Sequence, residues 1–470
     1  DDWQQQRLGF RADLTPTGRD ALTLQGDYYD GRSGQTARLN FLMPPFNLIT
    51  GTTQTVSGGN LLGRWQHELS ATDSFTLQAY FDHSERDWPA VVKEKRDTYD
   101  VDFQYRTRRF DGHDLVLGAG YRQSRDNLGV STTGIPAGSL NYATFSPAAA
   151  NRDLLSALVQ DDITLFPEKL ILTLGVKFEK NDYTGVETQP NARLLWTPND
   201  ATTLWAAVAK AVRTPSRIDQ DGVAINQSVL PPLSRRNPLP LPVLVQGSGK
   251  VGSESLIAYE AGWKQRLTPT LSTDLALYYN DYDRLRSGRF DALRCQPSGA
   301  PFPSLGCVYP VPTRYLLLPA AAGNDNNARS YGFELSADWR PLHNLRFQAA
   351  LSYLNMKTWK PDGYFGTDLD GSAPKRQGSL RMAWNPRADT DVDVWLRRVG
   401  ESPEVTEGIA IPAYNELDVR LAWRPARNVE VALIGRNLLH DKHQEFATEL
   451  LDVPEMQIER SLFGQVTWKF

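Results

Sequence analysis

Two short stretches contain residue types that could bind a cofactor or a metal ion. In GSGKVG, Gly247, Gly249 and Gly252 have the spacing of a dinucleotide-binding turn. Such a turn must follow a strand and open a helix, so that its amides meet the phosphates. Here a Pro-rich segment precedes the stretch and a strand-like segment follows it. We therefore interpret GSGKVG as a flexible external loop.

The second stretch is HDKH, which places His440 and His443 near Asp441. Metal sites in proteins use three or four ligands at recognisable spacings, and these histidines have no third or fourth ligand at such a spacing. We therefore predict a loop entrance and no metal site. The sequence also lacks a nucleophile elbow, a phosphate loop and a zinc-protease pattern. It predicts neither an enzyme nor a cofactor.

The two cysteines, Cys295 and Cys307, lie close together in DALRCQPSGAPFPSLGCVYP. A pair of this kind in a Pro/Gly/Ser loop suits an oxidising compartment, where a disulfide would tie the loop. We predict that disulfide; two unrelated free thiols are the alternative.

Composition excludes several classes of protein. The net charge of −4 over 470 residues gives no reason to expect nucleic acid as a partner. No apolar run reaches about 18 residues, so the sequence predicts no transmembrane helix. The opening DDWQQQRLGF has neither the basic start nor the apolar core of a signal peptide. It implies a protein that stays in the cytoplasm, a mature form or a fragment.

Alternation with period two is the strongest pattern. In KLILTLGVKFEK, Leu172, Leu174 and Val176 share one parity, while Thr173 and Lys177 share the other. The same alternation recurs along the chain and continues to its last residues, where one parity holds Leu462, Val466, Trp468 and Phe470. Such segments are half-buried strands.

The connections between these strands alternate in length. Short turns such as TPTGRD, SATDS, FPEK, TPND and RPARN alternate with longer connections, among them residues 31–58, 213–254 and 284–324. Short turns on one side and long loops on the other are typical of an up-and-down outer-membrane barrel. A propeller is the soluble alternative, but its blades would return at a fixed period.

We count about 19 strands, from one near residues 6–14 to one at residues 459–470. Single-chain bacterial barrels have an even number of strands with both ends in the periplasm. Because TPTGRD is a short turn, the first strand must run downward from the outside. This parity predicts at least one more strand upstream.

Several stretches resemble the TonB-dependent outer-membrane receptors, the active importers of iron–siderophore complexes and related large nutrients. The resemblance covers nearly the whole chain. The stretches that carry it include NARLLWTPNDATTLWAAVAKAVRTPSRID, SESLIAYEAGWKQRLTPTLSTDLALYYNDYDRL, RSYGFELSADWRP, GSAPKRQGSLRMAWNP, IPAYNELDVRLAWRP, LIGRNLLHDKHQEF and RSLFGQVTWKF.

The resemblance implies a 22-stranded barrel with an N-terminal plug domain and a motif that contacts TonB. Residues 1–470 would then be the barrel domain, without the plug and about the first three strands. In proteins similar to this one, the barrel-assembly machinery reads the terminal aromatic residues, which here are Phe463, Trp468 and Phe470.

We expect ligand recognition on the external loops. Exposed aromatic residues can mark a binding surface, and Arg pairs with carboxylate and catecholate oxygens. Contacts with lipopolysaccharide phosphates are the alternative role for the arginines, several of which, including Arg284, Arg286, Arg289 and Arg294, make two loops basic. The candidate ligand-binding residues are Phe41, Phe46, Arg86, Trp88, Tyr142, Phe145, Arg213, Arg217, Arg235 and Arg236.

The resemblance implies a transporter in the bacterial outer membrane that imports a ferric siderophore by energy-dependent movement of the plug. Its partners would be the ligand, lipopolysaccharide and the TonB complex. Cobalamin, another metal chelate or an oligosaccharide are alternative cargoes. A plugless passive channel and a surface receptor are alternatives of another class.

Overall fold

The computed structural model describes residues 2–221, 224–230, 241–247, 249–296, 300–301, 315–365, 369–406, 409–447 and 456–469. These residues form strands almost throughout. The one helix among them is the single turn α1 (Arg217–Gln220). In the described ranges, no helix has the length and apolar character that crossing a bilayer would require.

The described strands, in chain order, are β1 (Trp3–Thr17), β2 (Asp20–Phe41), β3 (Asn47–Glu68), β4 (Asp73–Trp88), β5 (Val92–Thr107), β6 (His113–Gly129), β7 (Ser139–Leu140), β8 (Ala143–Thr144), β9 (Ala149–Phe166), β10 (Leu170–Asn181), β11 (Gly185–Asn199), β12 (Thr202–Arg213), β13 (Ala224–Leu230), β14 (Leu241–Gln246), β15 (Glu254–Thr268), β16 (Leu271–Phe290), β17 (Arg294–Gln296), β18 (Ala300–Pro301), β19 (Tyr315–Leu342), β20 (Leu345–Trp359), β21 (Tyr364–Phe365), β22 (Arg376–Arg387), β23 (Thr390–Val399), β24 (Ser402–Thr406), β25 (Ile409–Ile411), β26 (Tyr414–Ala426), β27 (Val429–Arg436), β28 (Lys442–His443), β29 (Ile458–Glu459) and β30 (Ser461–Trp468).

Nineteen of these strands are long and form the wall of a β-barrel. Each pairs antiparallel with the next long strand in the chain, from the β1–β2 pair to the β27–β30 pair. The wall is therefore a simple meander, and the predicted fold class and strand count are confirmed. The wall strands are β1–β6, β9–β12, β15, β16, β19, β20, β22, β23, β26, β27 and β30.

The two ends of the wall differ as the sequence predicted. At one end, which we call the turn end, the nine connections are all short, from residues 18–19 to residues 427–428. At the other, the loop end, the connections include residues 130–148, 214–253, 291–314 and 437–460. Every turn quoted from the sequence, TPTGRD included, lies at the turn end.

Side chains on the two faces of the wall have opposite character. Directly paired residues lie on the same face of a sheet, so Tyr80, Asp100 and Arg122 lie side by side on neighbouring strands. This polar face lines the lumen, where Arg122 Nε donates to Asp100 Oδ2 at 2.9 Å. The opposite face exposes apolar side chains, including Leu77, Tyr99, Val101, Phe103, Leu117, Leu155, Leu174 and Phe178. An apolar outer band around a polar lumen is what a bilayer requires.

The connection predicted over residues 31–58 was wrong in its extent. Most of this stretch belongs to the β2–β3 hairpin, whose pairing continues from Asp20 and His67 to Asn40 and Asn47. The tip alone, residues 42–46, is irregular. The Gly, Ser and Thr residues of the stretch suggested a loop, but both arms form strands once each has a partner, and the second arm is rich in Thr, which favours a strand.

The last wall strand keeps the alternation read from the sequence. Leu462, Val466 and Trp468 share one face of β30, and Phe463 lies on the other, with the guanidinium of Arg436 over its ring at 5.4 Å. Phe470 lies outside the described residues. The assembly signal assigned to these aromatic residues stays a prediction.

Candidate ligand-binding face at the loop end

One connection, residues 130–148, organises the loop end, and we call it the spanning loop. Its β7 pairs with the tip of β2, where Leu140 faces Asn40 and Ser139 faces Phe41. Its β8 pairs with β13. The spanning loop therefore joins the β2–β3 hairpin to the segment that follows β12.

The spanning loop also crosses the β4–β5 tip. The amide of Tyr142 donates to the carbonyl of Ala90 at 2.6 Å, and the amide of Ala143 donates to that of Val91. Thr133 Oγ1 donates to Asp87 Oδ2 at 2.8 Å. The tips of neighbouring hairpins are thus held together by backbone and side-chain hydrogen bonds.

These contacts bring several predicted ligand-binding residues together. Arg86 and Trp88 have the parity of the lumenal face of β4 and lie beside the contact between Tyr142 and Ala90. Burial raises the pKa of the Tyr142 phenol well above its ordinary value, so this hydroxyl stays neutral at physiological pH. Phe41 and Phe46 lie one hairpin away, where the amide of Phe41 donates to the carbonyl of Phe46 at 2.7 Å.

Arg217 is also at the loop end, but it is buried. Its side chain is 8% exposed and is paired with Asp126 and with Asp221, the latter at 2.6 Å. It donates to the carbonyls of Pro147 and Ala148 in the spanning loop and lies over the ring of Phe145 at 5.3 Å. Sequence analysis grouped Arg217 with Phe145 as ligand contacts; the structure joins the two through packing.

Two other arginines of this region keep exposed guanidinium groups. Arg213 is 50% exposed, with long contacts of 3.8 Å to Asp219 and 3.4 Å to Glu254. Arg286 lies 3.4 Å from the other carboxylate oxygen of Asp219. Asp219 is itself buried and accepts from the amide and hydroxyl of Ser216 at 2.8 Å. Arg213 and Arg286 are therefore held in place and still face solvent.

The carboxylates of this cluster were missed in the sequence analysis. Asp126, Asp219, Asp221 and Glu254 lie between the arginines that were singled out, and Arg152 completes the cluster at 2.9 Å from Asp221. No local sequence motif marks these carboxylates. The one available signal was the excess of Arg over acidic residues in residues 213–254 and 284–324, since buried guanidinium groups need carboxylate partners.

Other residues singled out from the sequence do not belong to this arginine–carboxylate cluster. Arg235, Arg236 and Cys307 lie outside the described residues. Cys295 is buried and takes part in a disulfide. In GSGKVG, Gly249 has a φ of 65° and the segment leads into β15. The described part of this stretch therefore leads into a strand, as predicted, and does not open a helix.

The remaining aromatic residues divide between the two faces. Tyr28 and Trp65 lie on the outer face, and Trp65 packs edge-on against Phe75 at 4.8 Å. Trp205 and Trp395 face the lumen, each beside an arginine, with Arg397 4.2 Å from the ring of Trp395. Aromatic side chains of the wall therefore occur both on its outer face and within the lumen.

The lumenal wall beside Arg397 contains a depression of about 390 Å³. Its lining combines charged and polar residues such as Glu334, Gln377 and Arg397 with apolar residues such as Leu335 and Trp395. Above it, at the loop end, Glu416, His443 and Glu445 each place one potential metal-ligating atom within 4.8 Å of the others. The structure thus joins the HDKH stretch to a distant strand.

The family model described as TonB dependent receptor-like, beta-barrel matches residues 2–438. A comparison with curated proteins found no match to this chain.

Solved structures of similar fold cover all or nearly all of the chain. The siderophore receptor PirA from Acinetobacter baumannii has a TM-score of 0.73 and 14% identity, with 100% of this chain and 71% of that chain covered. The ferric enterobactin receptor PfeA from Pseudomonas aeruginosa has a TM-score of 0.62 and 13% identity, covering 99% and 78%. The copper transporter OprC has a TM-score of 0.65 and 13% identity, covering 100% and 72%.

Proposed function

Since this chain belongs to the TonB-dependent receptor β-barrel family, we propose that it is the barrel of an outer-membrane importer of a bulky anionic ligand, with a ferric siderophore as the first candidate. The loop end would then face the outside of the cell and the turn end the periplasm. The cargo would bind at the loop end and pass through the lumen.

The observation that carries this proposal is the spanning loop. It links the tips of the β2–β3 and β4–β5 hairpins and places Tyr142 within electrostatic reach of Arg286. The exposed guanidinium groups of Arg213 and Arg286 lie on either side of Asp219 in the same region. Aromatic rings and Arg suit a large, flat ligand with carboxylate or catecholate oxygens, because Arg forms paired hydrogen bonds with such oxygens.

Active import also requires an energy supply and a plug. In this proposal the plug domain and the TonB-contacting motif are provided by a segment beyond these 470 residues, and residues 1–470 are the barrel domain. The barrel does no chemistry. It provides the pore wall, the binding vestibule and the seat of the plug, and its outer loops contact lipopolysaccharide.

Growth under iron restriction tests the proposal. The gene is deleted in its native host, and growth is measured on a panel of ferric siderophores supplied one at a time. Loss of growth on one siderophore, restored by the intact gene, supports the proposal. Unchanged growth on the whole panel contradicts it. Import of cobalamin or an oligosaccharide lost in the same deletion would instead assign one of the alternative cargoes.

A second measurement distinguishes active import from passive diffusion through an open channel. The intact protein, reconstituted in a planar bilayer, is expected to conduct little, since a channel of this diameter without a plug would leak freely. Large, steady conductance would contradict the active mechanism while leaving the barrel fold intact.

A further inference from the structure

The lumenal mouth of the barrel holds a compact group of metal-ligating side chains. Glu416 lies on the lumenal face of β26, and His443 and Glu445 belong to the segment after β27. Nε2 of His443 lies 2.8 Å from Oε1 of Glu445. Two atoms that ligate one tetrahedral metal ion at about 2.0–2.2 Å are separated by about 3.3–3.6 Å, so this pair would need to move apart by less than about 1 Å to share an ion.

The imidazole of His443 is also short of a partner. Its side chain is 9% exposed, and its second ring nitrogen, Nδ1, is buried with no hydrogen-bond partner among the described residues. Nε2 of the nearby His440 is also buried without a hydrogen-bond partner among the described residues. The ring centroids of His440 and His443 are 6.2 Å apart. By contrast, the wall histidines His67, His83 and His113 each bond a carboxylate through Nδ1.

The charge around the group favours a cation. Glu416, Asp418 and Glu445 contribute three carboxylates, and Arg397, which pairs with Glu416 and with Asp418, contributes one guanidinium. Asp418 also accepts the amide of Asn437 at 3.0 Å. These four groups together have a net charge of about −2, which one divalent ion would neutralise.

The segment that carries His443 is held in a defined position. The amide of Leu438 donates to the carbonyl of Leu417 at 2.9 Å, and the buried Asn437 donates to the carbonyl of Ile458 at 3.1 Å. The ring of His443 stacks on Tyr414, with centroids 4.2 Å apart. Contacts with β26 and β29 therefore hold the imidazole beside the carboxylates.

We propose that Glu416, His443 and Glu445 bind one divalent transition-metal ion at the lumenal mouth, with Zn²⁺ as the reference ion. A donor set of one imidazole nitrogen and carboxylate oxygens suits zinc-class ions, whereas Ca²⁺ and Mg²⁺ prefer sites built from oxygen alone. The ion would join β26 to the segment after β27. This inference goes beyond the proposed import of a bulky ligand and does not depend on it.

The test is a zinc titration of the full chain in detergent after treatment with a chelator. One equivalent of Zn²⁺ is expected to bind by calorimetry and to be retained in elemental analysis, with Ca²⁺ binding at least tenfold more weakly. His443→Ala and Glu445→Gln should each weaken Zn²⁺ binding at least tenfold, since loss of one of three ligands removes a metal bond. His343→Ala, at an exposed histidine of the turn end, is the matched control.

Glu445→Gln keeps the test independent of folding, because the Glu445 side chain is 35% exposed. Absence of saturable Zn²⁺ binding, or equal binding by Glu445→Gln and the unaltered chain, would overturn the proposal. No siderophore enters this experiment, so its failure would leave the import proposal standing.

Discussion

Arg217 and Asp126 form a buried ion pair that fastens helix α1 to the end of β6. Their side chains are 8% and 6% exposed. The same guanidinium holds the spanning loop through the carbonyls of Pro147 and Ala148. Arg217 thus has a structural role at the loop end, where it connects α1, β6 and the spanning loop. Arg213 and Arg286 are the exposed cations of the same cluster.

Arg217→Ala should loosen the spanning loop. Removing one partner of a buried pair leaves an uncompensated charge and typically costs about 3–5 kcal/mol. Hydrogen exchange is expected to show lost protection at residues 139–148 and 217–221, with the wall strands unchanged. Arg213→Ala is the control, since exposed pairs contribute about 0–1 kcal/mol. Equal protection in both variants would contradict the structural role of Arg217.

The double variant Arg213→Ala, Arg286→Ala should weaken binding of the cognate ferric siderophore. Hydrogen bonds to charged groups contribute about 1.5–3 kcal/mol each, so the dissociation constant is expected to rise about tenfold or more. Fluorescence quenching of the detergent-solubilised protein would measure it. Arg340→Ala, exposed near the turn end, should bind normally. An unchanged constant in the double variant would remove these two residues from the binding face.

Gly332→Ala should destabilise the wall. A methyl group at Gly332 would overlap the carbonyl oxygen of Tyr353 and the hydroxyl of Tyr278, which are hydrogen-bonded to each other at 3.2 Å. Overpacking of this kind costs about 1–3 kcal/mol. Thermal unfolding in detergent should show a lower midpoint for this variant.

The matched control for that experiment is Gly63→Ala. A methyl group at Gly63 would meet nothing within 4 Å, and Gly63 lies within β3 with a paired strand on each side. Its midpoint should stay the same or rise slightly. Equal losses in the two variants would mean that glycine is required for a reason other than space.

Tyr183 should make the loop end sensitive to alkaline pH. Burial raises the pKa of its phenol to about 12, and Arg152 lies over its ring at 4.1 Å. A raised folded-state pKa means that its stabilising contribution is complete below pH about 10, the ordinary Tyr value. That contribution is lost as the pH rises from there through the folded-state value.

The titration of Tyr183 can be measured as the difference between the unaltered chain and a variant that lacks this phenol. The ultraviolet tyrosinate signal of the unaltered chain minus that of Tyr183→Phe should rise with a midpoint near 12. A midpoint close to that of free tyrosine would show that this phenol is not buried in solution.

The predicted disulfide has a direct chemical test. Denatured, unreduced protein should contain no titratable thiol, and Cys295→Ala should expose one. Two thiols in the unaltered chain would favour the alternative of unrelated free cysteines.

Period-two alternation was enough to predict the wall, because burying one face of a strand leaves a local trace in the sequence. The loop end left no such trace. Arg217 pairs with Asp126 on a strand far back in the chain, and His443 meets Glu416 only when the segment after β27 folds over β26. Contacts between distant segments depend on the fold itself, so residue types within one stretch could not reveal them. The β2–β3 hairpin was misjudged for the opposite reason: its composition is typical of a loop, and only its pairing makes it a strand.

The meander also sets an order of assembly. Each wall strand meets a neighbour in sequence, so hairpins can zip together one after another at a small entropic cost. The spanning loop has partners as far apart as Asn40 and Ala224, and it can reach both only when the strands between them are already in place. The mouth of the barrel is therefore completed late, on a wall already built, so an error in any of the early hairpins would appear first as a misshapen mouth.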